Sequence, residues 1–275
     1  MLKDRHSADA ENFTPAFWVA LAPHLWLIED DYLDAQSARR LTSQLQEPVL
    51  VVGAGQGLIV AEIRRKGIRC DGVDWCAEMV KFAKLRRGID LIHADGSSLP
   101  VANGTYGTVI YATGVIDFLE DERAIHAMLQ EGRRVARNSG KILVAFYRQS
   151  EASENFLAAV GLLQDNVLAV KKSLEIYLLN PVQMTAWVAK RTGRGTLHAT
   201  ALMLRMLLST TIQEKMVAFK MQKVFRRMDD PKSLLDAAPQ SQPYRNEAEI
   251  RRLFDRLQIS LQGLERFATC YIARI

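Results

Sequence analysis

Val49-Leu50-Val51-Val52-Gly53-Ala54-Gly55-Gln56-Gly57 decides how the rest of the chain reads. Four aliphatic residues run into three glycines at alternate positions, and an apolar, periodic segment follows from Leu58 to Lys66. The pattern predicts a buried strand, a tight turn and a helix whose N-terminus faces that turn. Glycine permits positive φ and lets a ligand approach without meeting a Cβ. Free N–H groups and the helix dipole then favour an anionic group, phosphate or carboxylate.

Working outward, the segment before the turn, from Phe13 to Gln46, predicts two or three helices after a polar stretch at 1–12 that predicts disorder. Its aromatics Phe17, Trp18, Trp26 and Tyr32 either lid a pocket or simply pack on the core. Pro48 ends this segment before the first strand. Downstream, strands are predicted at Arg69–Val73, Ile89–His93, Thr108–Ala112 and Gly140–Tyr147. Helices fall between them at Cys76–Arg87 and Glu122–Arg137, the second closed by Asn138-Ser139-Gly140. Such alternation means an α/β domain with a parallel sheet and right-handed crossovers. From Ser150 it stops. Residues 151–245 read as helix throughout, broken at Asn180-Pro181, Gly193-Arg194-Gly195 and Asp230-Pro231. A helix at Asn246–Leu257 and strand-like runs at Gln258–Leu264 and Thr269–Ile275 complete the chain, with Glu265-Arg266 expected at a bend between them. The organisation expected is an N-terminal helical segment (1–48), an α/β core (49–150 with 246–275) and a helical insertion (151–245).

Several stretches resemble, in order, the motifs of the class I S-adenosylmethionine-dependent methyltransferases. Val51 to Gly57 resembles the family's G-x-G-x-G loop. Gly72-Val73-Asp74-Trp75-Cys76-Ala77-Glu78-Met79 resembles the acidic end of its second strand. His93-Ala94-Asp95-Gly96 with Leu99-Pro100, Tyr106 to Val115 with Phe118-Leu119, and Arg134-Val135 with Ser139-Gly140-Lys141-Ile142-Leu143 resemble the next three. The resemblance covers 49–148 and, more faintly, 246–275. It implies a seven-stranded, Rossmann-like, mostly parallel sheet with helices on both faces, S-adenosylmethionine as cofactor, and a cofactor set of Gly53, Ala54, Gly55, Gly57, Asp74, Trp75, Asp95, Gly96 and Thr113.

The residues suit that ligand. Asp74 ends a strand at the carboxyl edge, where open α/β sheets bind ligands, and a carboxylate there can accept both ribose hydroxyl protons. Trp75 offers a flat face for adenine. Asp95 can accept from the adenine amino group, and Gly96 leaves room for the ring. The alternatives are a helix N-terminal acid for Asp74 and a turn residue for Asp95. NAD is disfavoured, because the third glycine of its G-x-G-x-x-G fingerprint would fall at Leu58. Two positions depart from the family pattern: Gly107 stands where an Asp is usual, and Cys76 where a Ser-like cap is usual.

Transfer from a sulfonium needs alignment more than acid–base help, so catalytic residues are hard to read. Asp117 is the nearest ionisable group beyond strand four, either a base or a cap for the next helix; His24 and His198 are further candidates, and His126 reads as structural. No Asn/Asp-Pro-Pro-aromatic motif follows strand four, so nucleic acid is disfavoured as substrate. No metal-ligand spacing is present.

The insertion carries thirteen Lys and Arg against eight Asp and Glu, which accounts for the whole chain's net charge of +5. It also holds Met184, Met203, Met206, Met216, Met221 and Met228. These read either as core or as an adaptable wall for an apolar acceptor. The run from Thr196 to Arg227 is helical and basic, so a peripheral membrane contact through 196–227 stays open. The longest apolar stretch, Leu197–Ile212, contains His198 and Arg205 and is shorter than the roughly 18–20 residues a span needs. Three cysteines, an odd number, and a polar start without a signal pattern point to a cytoplasmic protein with free thiols. The activity expected is methyl transfer to an O or N atom of an apolar small molecule. The alternatives are a lipid or quinone methyltransferase at a membrane surface, and a cofactor-binding protein without turnover.

Overall fold

The strand predicted at 49–52 is β1 (Val49–Val52), and all four of its residues are buried. Side chains alternate across a strand, so Leu50 and Val52 enter one apolar cluster while Val49 and Val51 enter another. Burial on both faces is why this strand reads as an unbroken aliphatic run rather than an alternating one. The computed structural model describes residues 15–29, 40–119, 121–210, 212–267 and 270–275. The expectations for residues 1–13 and for Tyr32 and Leu33 lie outside the described residues.

In chain order the strands are β1, β2 (Cys70–Asp74), β3 (Ile92–His93), β4 (Tyr106–Tyr111), β5 (Ala136–Tyr147), β6 (Leu163–Gln164), β7 (Val167–Leu168), β8 (Gln242–Pro243), β9 (Gly263–Arg266) and β10 (Cys270–Arg274). The helices are α1 (Pro15–Glu29), α2 (Leu58–Arg65), α3 (Ala77–Arg87), α4 (Glu122–Val135), α5 (Glu151–Ala159), α6 (Val170–Glu175), α7 (Pro181–Thr192), α8 (Thr196–Ser209), α9 (Ile212–Arg227), α10 (Pro231–Ala237) and α11 (Glu247–Arg256). Seven strands form one sheet in the order β3-β2-β1-β4-β5-β10-β9. β1 to β5 pair in parallel, with Val49 opposite both Cys70 and Thr108. β10 runs antiparallel between β5 and β9. The chain therefore has a seven-stranded Rossmann-like sheet. α4 and α11 cover one face through Ile125, Leu129, Ile250, Leu253 and Phe254, and α2 covers the other through Val60 and Ile63.

The structure departs from the sequence reading in several places. β3 has only its last two predicted residues. α4 ends at Val135, and Asn138-Ser139-Gly140 is not its stop. These residues form an excursion inside β5, where pairing with β4 jumps from Tyr106–Ala136 to Thr108–Lys141. Residues 258–262 are not strand, and Glu265-Arg266 lie within β9 rather than at a bend. The segment 151–245 is not helical throughout. β6 and β7 form a hairpin around Asp165 and Asn166, both left-handed at φ 48 and 59, the backbone that a two-residue hairpin turn needs. β8 then pairs with β7, and Tyr244 N–H donates to the Asn166 carbonyl at 2.7 Å, so the start and end of the segment are tied together. The three breaks read from sequence do fall between helices. Asn180 caps α7, Gly193 ends it left-handed, and Asp230 caps α10.

Candidate cofactor site

At the carboxyl end of β1 the chain turns through Gly53, Gly55 and Gly57, at φ 72, 54 and 80. Glycine adopts these angles most readily, having no Cβ. Gly53 and Ala54 N–H both donate to the Val73 carbonyl at 2.9 Å. Gly55 N–H donates to Asp74 Oδ2 at 2.8 Å, and Cys76 N–H donates to Asp74 Oδ1 at 2.9 Å. The buried Asp74 carboxylate thus fastens the glycine turn to the start of α3. A carboxylate at the carboxyl end of a strand suits acceptance from ribose hydroxyls. α2 begins at Gly57 without a side-chain cap, which leaves its first-turn N–H groups for an anionic partner.

Two of the glycines serve packing as well as backbone angle. A Cβ on Gly53 would lie 2.1 Å from Val115 Cγ2, and one on Gly57 would lie 3.3 Å from Ile89 Cδ1. The room at Gly96 is likewise not room for a ring: a Cβ there would meet Val52 Cγ1 at 2.8 Å. Asp95 Oδ1 accepts from Ser97 N–H and Oγ–H, both at 2.8 Å, the turn geometry that was its alternative reading. Trp75 is half-buried beside α1, and its carbonyl lies 2.8 Å from His93 Nε2. Thr113 is half-buried just past β4, in the loop whose Val115 packs on Gly53.

Both departures from the family pattern have local causes. A Cβ at Gly107 would sit 2.6 Å from the Gln46 carbonyl oxygen and 2.7 Å from that of Glu47. An aspartate cannot fit where the chain entering β1 presses so closely. Cys76 makes no cap hydrogen bond; its side chain is buried with Ala22 and Met79. The Cys76 N–H itself donates to Asp74, and burial raises the Cys76 thiol pKa.

α1 roofs this edge. Trp18 meets Phe118 edge-on at 5.4 Å, the buried Gln56 Nε2 donates to the Ala22 carbonyl, and Arg86 of α3 lies 4.7 Å over Trp26. The other side of α1 packs on α9 and α10 through Phe17, Leu21, Val224, Phe225 and Leu234. Met221 and Met228 belong to this contact, and Met184, Met203 and Met206 to a second cluster of the segment. The Met216 side chain lies outside those described.

The three catalytic candidates are not brought together. Asp117 is buried. Its carboxylate accepts from Gly114 N–H at 2.9 Å and Tyr147 N–H at 3.3 Å, and burial pushes its pKa up to about 6 against the pull of those N–H groups and Arg245. It does not cap α4; Asp121 does, accepting from Arg123 N–H. His24 sits in α1, its pKa lowered chiefly by burial and further by Arg86. His198 is exposed on α8, with Nε2 3.4 Å from Arg194. His126 lines a cavity of about 260 Å³ between α4 and the end of β10, away from the glycine turn.

Sequence reasoning missed Arg245. Its buried guanidinium donates to the carbonyls of Ile116, Asp117 and Leu119 at 3.1, 2.9 and 2.6 Å, pinning the loop after β4 from 126 or more residues away in sequence. A single arginine before the Asn246 helix cap carries no periodicity or motif that would mark it. Tyr147 was missed too; its hydroxyl crowds Gly114, 3.2 Å from where a Cβ would stand.

Residues 50–144 match the model of a family described as a methyltransferase domain. The chain is 30% identical over 110 residues to the demethylmenaquinone methyltransferase of Corynebacterium urealyticum, an overlap of 40% of this chain and 46% of that protein. It is 33% identical over 98 residues to the same enzyme of Renibacterium salmoninarum, covering 35% of this chain and 40% of the other. The chain thus spans under half the length of the curated relatives it matches. A SAM-dependent methyltransferase from Aquifex aeolicus aligns over 95% of this chain and 97% of its own at 13% identity, with a TM-score of 0.48. The five motifs thus lie in order along one sheet, and the stretch from β1 to β5 that carries them is the part of the chain similar to a methyltransferase domain.

Proposed function

We propose that the chain moves a methyl group from S-adenosylmethionine to an O or N atom of an apolar small molecule by in-line displacement. The observation that carries this reading is the glycine turn fastened by the buried Asp74 under the roof of α1. In this reading Asp74 holds the ribose hydroxyls, Trp75 lies against adenine and Asp95 takes the amino group. The turn and the first N–H groups of α2 hold the amino-acid end. The bound cofactor supplies a methyl group already activated on sulfonium. The protein's work is then to exclude water and to aim the acceptor.

Asp117 acts here as a positioning residue: Oδ2 accepts from Gly114 N–H and Oδ1 from Tyr147 N–H behind the loop, so it holds these two rather than taking a substrate proton. The segment 151–245, packed on α1, caps the acceptor. A second reading, a quinone or other lipid as acceptor, is favoured by the demethylmenaquinone methyltransferases among the relatives. The three buried cysteines are free thiols and fit a cytoplasmic location.

Calorimetric titration with S-adenosylmethionine and its demethylated product tests the cofactor assignment. Asp74→Ala is expected to weaken binding about tenfold or more, the size of a lost charge-assisted hydrogen bond; unchanged affinity overturns the ribose assignment. Formation of the demethylated cofactor with a panel of phenols, amines and short-chain quinones separates the two acceptor classes. Tight binding without turnover on any of them would favour a cofactor-binding protein that has lost catalysis.

A further inference from the structure

α8 is apolar on two opposite faces. Its inner face, Ala199, Leu202, Met203 and Met206, packs with α5 and α7. Its outer face carries Leu197, Leu204 and Leu208, which are 86%, 52% and 81% exposed, with Ala201 exposed among them. Steps of four, three and four residues keep these side chains within about 60° of one another around the helix. Leu207 and Val182, 48% and 79% exposed, widen the patch toward α7. The Thr185–Met203 contact at 3.6 Å sets α7 antiparallel beside α8, which brings Val182 to the level of Leu207. A helix with apolar residues on opposite faces ordinarily buries both, and a contiguous exposed row of leucines marks a docking surface.

The surrounding charge says what docks. From Ile176 to Gln213 the sequence holds no Asp or Glu, but it holds Lys190, Arg191, Arg194 and Arg205. Arg191 is spent on the carbonyls of Val160 and Gly161. Lys190, Arg194 and Arg205 are exposed, and Arg205 flanks the leucine row on the side away from α7. We propose that the outer face of α8 docks on an anionic membrane surface, with the leucines entering the boundary between headgroups and acyl chains and the cations meeting lipid phosphates. A second copy of this chain fits the face poorly. A two-fold contact would set this acid-free, basic patch against itself, and the row has none of the aromatic anchors that protein interfaces favour. No described helix is long and apolar enough to cross a membrane, and α8 need only lie on one. α9 turns Met221, Val224 and Phe225 in against α1 and exposes Phe219 alone among its large apolar side chains described, so the row of leucines is confined to α8. The proposal rests on α8 alone and is independent of the methyl-transfer reading.

The test is co-sedimentation of the full chain with vesicles of phosphatidylglycerol and phosphatidylcholine, and with phosphatidylcholine alone, at low and high salt. The expected result is binding to the anionic vesicles that falls at high salt and is at least tenfold weaker on neutral ones. Leu204→Glu with Leu208→Glu is expected to reduce it tenfold or more, and Arg205→Glu to reduce it on anionic vesicles only. Unchanged melting and cofactor titration show that these variants stay folded, and keep failure here distinct from failure of the cofactor assignment. Wild type left in the supernatant with anionic vesicles overturns the proposal, as does a double variant that binds equally well. A wild-type dimer that the double variant abolishes, without vesicle binding, overturns it in favour of self-association.

Discussion

β1 and α8 are both written in aliphatic residues, and the molecule treats them oppositely. Val49 to Val52 are at most 3% exposed, with α2 over one face and α4 and α11 over the other. Leu197 and Leu208 are more than 80% exposed, because α5 and α7 cover only the inner face of α8. An apolar run therefore states a need for cover, and topology decides whether the chain meets it. β1 sits inside a sheet with neighbours on both edges and both faces. α8 lies on the rim of a segment with nothing of this chain beyond it among the described residues. Substitution should expose the contrast. Leu50→Ala removes a side chain with no exposure and is expected to cost about 4 kcal/mol, in the upper part of the range for buried leucines. Leu208→Gln is expected to fall within about 0.5 kcal/mol, as for surface sites. Denaturant melts of the two variants check both, and a large loss for Leu208→Gln would show that α8 is covered in solution.

The same contrast explains how much was legible beforehand. Long, doubly buried strands and the glycine turn have strong local signals, so β1, β2, β4 and the order of motifs could be read; that Asp74 fastens the turn through Gly55 N–H could not. The hairpin at Asp165-Asn166 could not, because strands of two residues have no period to detect. Its one cue was a pair of turn formers between two short apolar pairs. Gly107 looked like a flaw in a motif, because the carbonyls of Gln46 and Glu47 that press on it arrive from another part of the chain. Arg245 is the clearest case of a long-range element. What identifies it is three carbonyls in the 116–119 loop, and nothing near residue 245 anticipates them.

Arg245 also joins the two regions. It extends from the end of the 151–245 segment into the core and holds the loop that carries Thr113 and Gly114. Arg245→Met keeps much of the volume, removes three charge-assisted hydrogen bonds and leaves the buried Asp117 without its cation. The expected cost is about 3 kcal/mol, because buried carbonyls are left without their charged donor. Cofactor affinity should fall by less than for Asp74→Ala, since the glycine turn itself is untouched. A stability loss below about 1 kcal/mol would mean that the loop holds itself and that core and segment are energetically separate.

At Asp117 the sign of the effect is what informs. Burial raises its pKa from 3.8 to about 6, so between those values the folded state binds a proton that the unfolded chain has released. Stability drawn from this group is fully present below about pH 4 and is lost as pH rises through about 6, the reverse of a salt-bridged surface carboxylate. Asp117→Asn does not titrate. The melting temperature of wild type relative to Asp117→Asn should therefore be highest near pH 4 and fall by roughly 5 °C by pH 7, from a shift of about two pH units in a chain of this size. Melts of both proteins across that range check it. A difference that instead grows with pH would mean that Gly114, Tyr147 and Arg245 outweigh burial, leaving an ionised carboxylate as the resting state behind the β4 loop. The loop would then be held by charge, as the core's glycine turn is held by Asp74, rather than by a buried acid that prefers its proton.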